Sequence, residues 1–188
     1  SVASREDGSI SSREVHPLEE YLTPSIQIGD ESRAEAEAIL HDAGMRGRYA
    51  VIAPASASGA VKDWPPEHYR RLVEMILREF DCPVAVTGGP AQWDTAERIA
   101  SGLPGVVNLA GKTSMDSFAG LLAGAELFVG GDSGGAHAAA ALGIPSVVIF
   151  GITNPTRTRP TGARVVCVGD GENRDVKLST PEAREAAK

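Results

Sequence analysis

The segment that decides the fold spans residues 127–137 and reads Leu-Phe-Val-Gly-Gly-Asp-Ser-Gly-Gly-Ala-His. Its apolar start, broken by two glycines, is typical of a buried strand that ends in a tight turn. Asp132 and Ser133 follow, and Gly134 and Gly135 then lead into Ala-rich sequence, which predicts the start of a helix. The first amides of a helix lack partners within it and carry partial positive charge. The segment therefore predicts an anion site, most simply for phosphate, that a ligand can approach closely over the glycines.

Apolar runs and amphipathic stretches alternate on both sides of this segment. Strands are predicted at residues 49–53, 83–87, 106–109 and 146–150, with a last strand near 164–168. Helices are predicted at residues 33–42, 64–80, 91–101 and 114–123 and after Thr180, while residues 152–160 are expected to form a polar loop. This alternation predicts an α/β fold with a parallel sheet and helices on both faces. In such sheets, ligands bind beyond the carboxyl ends of the strands.

The composition is that of an ordinary soluble globular protein. The 188 residues are 42% apolar and 23% charged, which is enough for one sizeable core with or without a tail. A net charge of −7 argues against a broad nucleic-acid surface. Cys82 and Cys167 match neither a metal-binding spacing nor a disulfide framework. The sequence has no signal peptide and no run of about 18 apolar residues, so a cytoplasmic protein is expected.

Residues 131–135 also match Gly-x-Ser-x-Gly, the nucleophile signature of serine hydrolases. Trypsin-like enzymes are all-β, however, whereas this chain alternates strands with helices. An α/β-hydrolase needs its acid and then its histidine further along the chain. After Ser133 the only histidine is His137, one turn into the same predicted helix. A serine hydrolase that uses Ser133 is therefore kept only as a distant alternative.

The loops after the predicted strands carry polar side chains suited to a phosphorylated ligand. NAD binding and P-loop ATP hydrolysis lack their usual glycine motifs. Groups that could instead surround a diphosphate at residues 133–135 are Ser56 or Ser58, Lys62, Lys112, Thr113, and Arg157 or Arg159. His137 could face the phosphates or the sugar, or lie in the core. Asp132 could hold backbone amides or accept a hydrogen bond from a sugar hydroxyl, and Ser133 could bind ligand or only cap its helix.

Together these motifs resemble the bacterial lipopolysaccharide heptosyltransferases, the ADP-heptose-using enzymes of glycosyltransferase family nine. The resemblance covers about residues 48–162, where the motifs follow in the family's order. They are Lys62-Asp63-Trp64-Pro65, Thr87-Gly88-Gly89-Pro90, Gly111-Lys112-Thr113-Ser114, the phrase from Asp132 to Pro145, and Phe150 to Pro155. The family has a GT-B fold, in which two Rossmann-like domains enclose the active site, and the chain resembles only the C-terminal domain.

The resemblance implies that residues 31–188 form a Rossmann-like domain that binds a nucleotide sugar. Residues 1–30 would be a mobile start and the linker from an N-terminal domain that the chain does not contain. From the residues alone, the polar start without Met could equally be a tag remnant or a processed terminus. The proposed catalytic base of the family lies in the missing domain, so no catalytic residue, metal or cofactor is expected here. Alone, the chain is expected to bind donor weakly and to turn nothing over.

The resemblance also implies roles in donor binding. Thr113 would lie beside the base, and Gln92 stands where the family commonly has an acidic residue that can bind the ribose. The residues implied near the diphosphate and sugar are Ser56, Ser58, Lys62, Asp132, Ser133, Gly134 and His137. The expected function is donor binding, with ADP-heptose or a related nucleotide sugar, in a glycosyltransferase of lipopolysaccharide core or related glycan synthesis. The lipid-linked acceptor would bind through the missing domain, and the full-length enzyme could lie at the inner face of the inner membrane. A non-catalytic nucleotide-binding module is the alternative.

Overall fold

Six parallel strands form one sheet in the computed structural model, which describes residues 24–54, 64–151 and 153–169. The strands are β1 (Ala50–Ala53), β2 (Val84–Val86), β3 (Val106–Asn108), β4 (Leu127–Gly131), β5 (Ser146–Phe150) and β6 (Val165–Gly169). The helices are α1 (Asp30–Asp42), α2 (Pro66–Phe80), α3 (Trp93–Ala100), α4 (Met115–Ala123), α5 (Gly134–Ala141) and α6 (Pro155–Thr158), with a 3-10 turn (Pro90–Gln92) before α3. The predicted alternation of strands and helices is therefore confirmed.

The strand order is β3-β2-β1-β4-β5-β6, so the direction in which the sheet grows reverses between β1 and β4. These two strands are neighbours, and their pairing places Ala53 beside Gly130. Both strands are buried along nearly all of their length, as continuous apolar sequence predicts for the centre of a parallel sheet. In doubly wound sheets, ligands bind in the crevice beyond the strand ends at such a switch point. The turn that follows β4 therefore lies at the place where this fold binds ligands.

Helices cover both faces of the sheet. α1, α4 and α5 pack on one face, where Leu121, Phe128 and Val148 belong to one buried cluster. α2 and α3 pack on the other face over β1 and β2, around Tyr69 and Ile99. Among the described residues, this second face is partly open along β5 and β6, where apolar side chains line a groove of about 560 Å³. The expected α/β architecture is confirmed.

The first helix begins earlier than its apolar pattern predicts. α1 starts at Asp30 rather than near Arg33, and Gly29 precedes it in extended conformation. Asp30 and Glu31 lie in the first turn, where carboxylates interact favourably with the helix dipole. The acidic residues that precede the apolar stripe are therefore part of the helix.

A short helix interrupts the loop expected at residues 152–160. Asn154 caps α6, because its Oδ1 accepts a hydrogen bond from the amide of Thr156 at 2.9 Å. Asn followed by Pro is itself a helix-start signal, since Pro155 has no N–H that would need a partner in the first turn. The expectation of an irregular loop is wrong for residues 155–158.

Several expectations concern residues outside the described ranges. The helix expected after Thr180 and the linker up to residue 23 lie there, and the domain boundary between residues 30 and 31 stays a prediction. None of the helices within the described ranges is long and apolar enough to cross a lipid bilayer.

Candidate functional site

The turn from β4 into α5 presents two backbone amides at the sheet's switch point. Ser133 is the residue before the helix and is extended, with φ −149° and ψ 166°. Its carbonyl accepts hydrogen bonds from the amides of Ala136 at 3.1 Å and His137 at 3.3 Å, so the bonding of the helix begins there. Within the described part of the chain, the amides of Gly134 and Gly135 donate to no acceptor. Free amides at the positive end of a helix dipole are the groups that anion sites use, and anion binding at this turn stays a prediction.

The Ser133 hydroxyl is not used to cap its helix. Its side chain accepts no hydrogen bond from the first turn of α5. Ser114, at the same position before α4, behaves differently: its hydroxyl oxygen accepts from the Ser117 amide at 3.0 Å, and the Ser117 hydroxyl oxygen accepts from the Ser114 amide at 2.9 Å. Ser133 therefore lacks the capping role that Ser114 has, and a role of its hydroxyl in ligand binding stays a prediction.

The two helix-starting glycines differ in what lies beside them. A methyl group built on Gly134 would meet no atom of the described residues within 4 Å, and Gly134 is exposed. A methyl group built on Gly135 would lie 3.3 Å from Cζ of Phe118. Gly135 therefore allows α5 to pack closely on α4, whereas the position of a Cβ on Gly134 is free of neighbouring atoms of the described residues.

Asp132 accepts a hydrogen bond from a residue that sequence reasoning missed. The Thr158 hydroxyl donates to Oδ2 of Asp132 at 3.0 Å, which joins the turn after β4 to the last residue of α6. In the described ranges the Asp132 carboxylate accepts from no backbone amide, so the first of the two roles considered for it is not seen. The cap formed by Asn154 and Pro155 was the sequence signal that could have placed Thr158 in a helix beside the site.

His137 lies in the first turns of α5 and is exposed, not buried in the core. The imidazole is therefore accessible from solvent, and a contact between it and a ligand stays a prediction. In the described residues no hydrogen bond joins the His137 imidazole to the Ser133 hydroxyl, so the two side chains lack the contact that a nucleophile and its base require. The described ranges also contain no group of three or more His, Cys, Asp or Glu side chains that could hold a metal ion.

The turns after β2 and β3 lie against each other at the same edge of the sheet. The amide of Gly111 donates to the carbonyl of Gly88 at 2.8 Å. A methyl group built on Gly111, whose φ is +73°, would lie only 3.0 Å from Cα of Pro90. Gln92 is partly buried, and its Oε1 lies close to Gly89. A methyl group built on Gly89 would be only 2.9 Å from this oxygen. The fold therefore brings Gln92 and the partly buried Thr113 onto two loops that touch.

Two further side chains tie these loops together. The ammonium group of Lys112 lies 5.5 Å from the centre of the Trp93 ring. Asn108 donates from Nδ2 to the Trp93 carbonyl at 3.3 Å and to Oε2 of Glu97 at 2.9 Å. Trp93 is 42% exposed, so its ring lies at the surface between the two turns. Lys112 is therefore anchored to the neighbouring loop.

The remaining basic and hydroxyl residues divide between α6 and the loop after β1. Arg157 lies in α6 and is exposed, on the same short helix as Thr158. Ser56, Ser58 and Lys62 lie outside the described residues, so their roles stay predictions. Pairing of Ala53 with Gly130 nevertheless fixes where β1 ends, directly beside the last residues of β4.

The β6 side of the site has mixed charge. Partial burial raises the pKa of the Cys167 thiol, while the nearby Arg159 guanidinium lowers it and the Asp132 carboxylate raises it. Arg159 and Asp132 therefore act on this thiol in opposite directions.

A sequence model of glycosyltransferase family 9 (heptosyltransferase) matches residues 15–187. The lipooligosaccharide heptosyltransferase 2 of Haemophilus influenzae is 34% identical over 126 residues, which cover 63% of this chain and 36% of that protein. The structure of E. coli ADP-heptose lipopolysaccharide heptosyltransferase II is similar at a TM-score of 0.68 and 26% identity, over 87% of this chain and 53% of that one.

A third similar protein has been solved with nucleotide ligands. The structure of E. coli heptosyltransferase WaaC with ADP is 30% identical at a TM-score of 0.62, over 85% of this chain and 48% of that one. The same enzyme with ADP-2-deoxy-2-fluoro heptose is 31% identical at a TM-score of 0.57, over 71% of this chain and 40% of that one. The present chain thus spans about half the length of these solved chains, and 36% of the H. influenzae protein.

Proposed function

Because the chain belongs to glycosyltransferase family 9, the heptosyltransferase family, we propose that it binds the nucleotide-sugar donor in a lipopolysaccharide core glycosyltransferase. The donor would be ADP-heptose or a related ADP sugar, in keeping with the ADP and ADP-sugar ligands of the similar WaaC structures. The lipid-linked acceptor and the catalytic base would belong to an N-terminal domain of the full-length protein. In this proposal the crevice at β1 and β4 is the donor half of the active site.

The observation that carries the proposal is the pair of amides at the start of α5. Gly134 and Gly135 present N–H groups without acceptors among the described residues, and the Ser133 hydroxyl beside them is not used as a cap. Gly134 is exposed, and among the described residues no atom lies within 4 Å of a Cβ built on it. This arrangement suits the oxygens of a diphosphate, which accept several hydrogen bonds and are attracted by the helix dipole.

The chemical role of these groups would be to stabilise the leaving diphosphate. When the bond between the sugar and the diphosphate breaks, negative charge increases on the phosphate oxygens. Amides that are already oriented stabilise this charge without reorganising. Lys62 and Arg157 would add positive charge, and the exposed His137 would donate to the phosphates or the sugar. Gln92 and Thr113, on the two touching loops, would contact the ribose and the base.

A calorimetric titration of the 188-residue chain with ADP, UDP and GDP tests the donor site. One helix N-terminus contributes only about 0.3–1 kcal/mol to the binding of an anion at an exposed site, so we expect ADP to bind weakly. ADP should bind more tightly than UDP or GDP. Lys62→Ala and His137→Ala should weaken ADP binding without changing the melting temperature. Lack of binding by all three nucleotides would contradict the proposal.

A transfer assay with the full-length protein separates the proposal from its alternative. Gln92 is a neutral side chain at the presumed ribose position, which is the observation that favours a non-catalytic nucleotide-binding module. If full-length protein transfers sugar from ADP-heptose to a lipopolysaccharide core acceptor, the module is excluded. Binding of ADP without any transfer would favour it.

A further inference from the structure

We propose that Thr158 is a positioning residue, which holds the Asp132 carboxylate where it accepts a hydrogen bond from a hydroxyl of the donor sugar. This inference rests on the proposed function and assigns a role within the same site. Its basis is the hydrogen bond of 3.0 Å from the Thr158 hydroxyl to Oδ2 of Asp132. The bond connects two residues that are 26 positions apart in sequence, on the loops after β4 and β5.

The single proton of the Thr158 hydroxyl has two acceptors within reach. Asp132 Oδ2 lies at 3.0 Å, whereas the carbonyl oxygen of Asn154 lies at 3.3 Å. A hydrogen bond to an ionised carboxylate is shorter and about twice as strong as one between neutral groups. The Thr158 proton is therefore directed to Asp132.

The hydrogen bond leaves Asp132 able to accept more. An ionised carboxylate has about four acceptor positions, of which Thr158 fills one. The free positions cannot bind a diphosphate, because both groups are negatively charged. Sugar hydroxyls are donors, and a carboxylate held at a fixed angle accepts from them well. The chemistry of Asp132 therefore matches the sugar of the donor.

The position of the carboxylate also leaves the anion site accessible. In the described part of the chain, the first amides of α5 make no bond to Asp132, although it is only two residues before Gly134. A carboxylate bonded to those amides would occupy the place of the diphosphate and repel it. Thr158 holds Asp132 on the side of α6, so the diphosphate and the sugar have separate partners.

The helix that carries Thr158 is itself fixed by hydrogen bonds. Asn154 Oδ1 accepts from the Thr156 amide at 2.9 Å and from the Thr156 hydroxyl at 2.7 Å. Thr156 lies on the same helix and is exposed, and its hydroxyl donates to Asn154 and not to Asp132. It therefore provides a matched control for Thr158.

The test is the ratio of the ADP to the ADP-heptose dissociation constant, measured by calorimetry on the 188-residue chain. This ratio measures how much the heptose increases the affinity, because any change in binding of the ADP part affects both constants equally. In Thr158→Val the ratio should fall by about tenfold, which corresponds to about 1.4 kcal/mol. Thr158→Ser retains the hydroxyl and should retain the ratio. Thr156→Val should leave it within about twofold of wild type.

Coupling to Asp132 completes the test. Asp132→Asn should lower the same ratio, and adding Thr158→Val to it should lower the ratio no further, because the two residues act through one carboxylate.

An unchanged ratio in Thr158→Val would overturn the inference even if nucleotide binding were weaker overall, since that result indicates a purely structural role. If wild type binds ADP but gains nothing from the sugar, the inference fails while the donor site stands. If wild type does not bind ADP, the proposed function fails and the inference fails with it.

Discussion

The ammonium group of Lys112 lies 5.5 Å from the centre of the Trp93 ring, which connects the turn after β3 to the start of α3. A cation at this distance over an aromatic face contributes about 0.5–1 kcal/mol at an exposed site. We therefore expect Trp93→Ala to lower the free energy of unfolding by about this amount, and Trp93→Phe to lower it less. Urea unfolding followed by circular dichroism measures both.

A double-mutant cycle tests whether the loss of stability in Trp93→Ala comes from the contact between Lys112 and Trp93. Lys112→Met keeps the aliphatic stem but removes the charge, so in its background Trp93→Ala should cost less than in wild type. If the two substitutions are additive within about 0.3 kcal/mol, the contact contributes nothing to stability.

The two serines that precede helices should respond in opposite ways to alanine. Ser114→Ala removes the hydroxyl oxygen that accepts from the Ser117 amide in a capping box and should cost about 1 kcal/mol of stability, with ADP binding unchanged. Ser133→Ala removes a hydroxyl that caps nothing, so stability should change by less than about 0.5 kcal/mol while the ADP affinity falls. Thermal unfolding measures the stability of each variant, and calorimetry measures its ADP affinity. A large loss of stability in Ser133→Ala would show that its hydroxyl is structural.

The neighbouring glycines at the end of β4 should differ in their tolerance of a methyl group. A Cβ on Gly130 would lie 2.8 Å from Cζ of Phe128 and 2.9 Å from the carbonyl oxygen of Ala53, so β1 or the core would have to move. We expect Gly130→Ala to destabilise the protein by about 1–3 kcal/mol. Gly131→Ala is the matched control, because its Cβ would meet only the Ile149 carbonyl oxygen at 3.9 Å. Equal losses in the two variants would contradict this account of how β4 fits against β1.

Ionisation of the buried Tyr49 hydroxyl should make the protein less stable at alkaline pH. Burial, and to a smaller extent the charge of Glu37, raise the pKa of Tyr49 from 10.0 to about 12. The pKa of Tyr49 is higher in the folded than in the unfolded protein, so folding favours the neutral hydroxyl. This contribution to stability is complete below pH 10 and is lost as the pH rises from 10 to 12. The full loss is on the order of 3 kcal/mol.

Tyr49→Phe is the variant that checks this effect. It should cost about 1 kcal/mol at pH 8, because the bond from the Tyr49 hydroxyl to the Leu121 carbonyl at 2.7 Å is lost. Its stability should then fall less steeply than that of wild type between pH 9 and pH 11, as measured by urea unfolding. Parallel curves for the two proteins would rule out Tyr49 as the source.

Local sequence patterns predict much of this fold. Continuous apolar runs identify the strands, because a strand buried on both faces must be apolar at every position. The Ser114 cap is equally local, since it involves a residue only three positions away. α6 was missed because four residues are too few for a periodic pattern, although Asn154 and Pro155 carried the start signal.

The geometry of the site is less predictable than its position. Glycines after a central strand indicate an anion site, because only a few backbone arrangements bring bare amides together. The bond between Thr158 and Asp132 depends on how two loops meet after the sheet has formed, and no spacing in the sequence encodes it. The same holds for Lys112 and Trp93, and for the strand order that places β1 beside β4.

The most direct test of the donor site is an NMR titration of the chain, labelled with nitrogen-15 at glycine, with ADP. The account predicts that the amide signals of Gly134 and Gly135 shift more than those of most other glycines, because their N–H groups would donate to the diphosphate. Adenosine, which lacks phosphate, should leave these two signals nearly unchanged. If saturating ADP shifts other glycines but neither Gly134 nor Gly135, the diphosphate does not bind at the start of α5 and the central claim is contradicted.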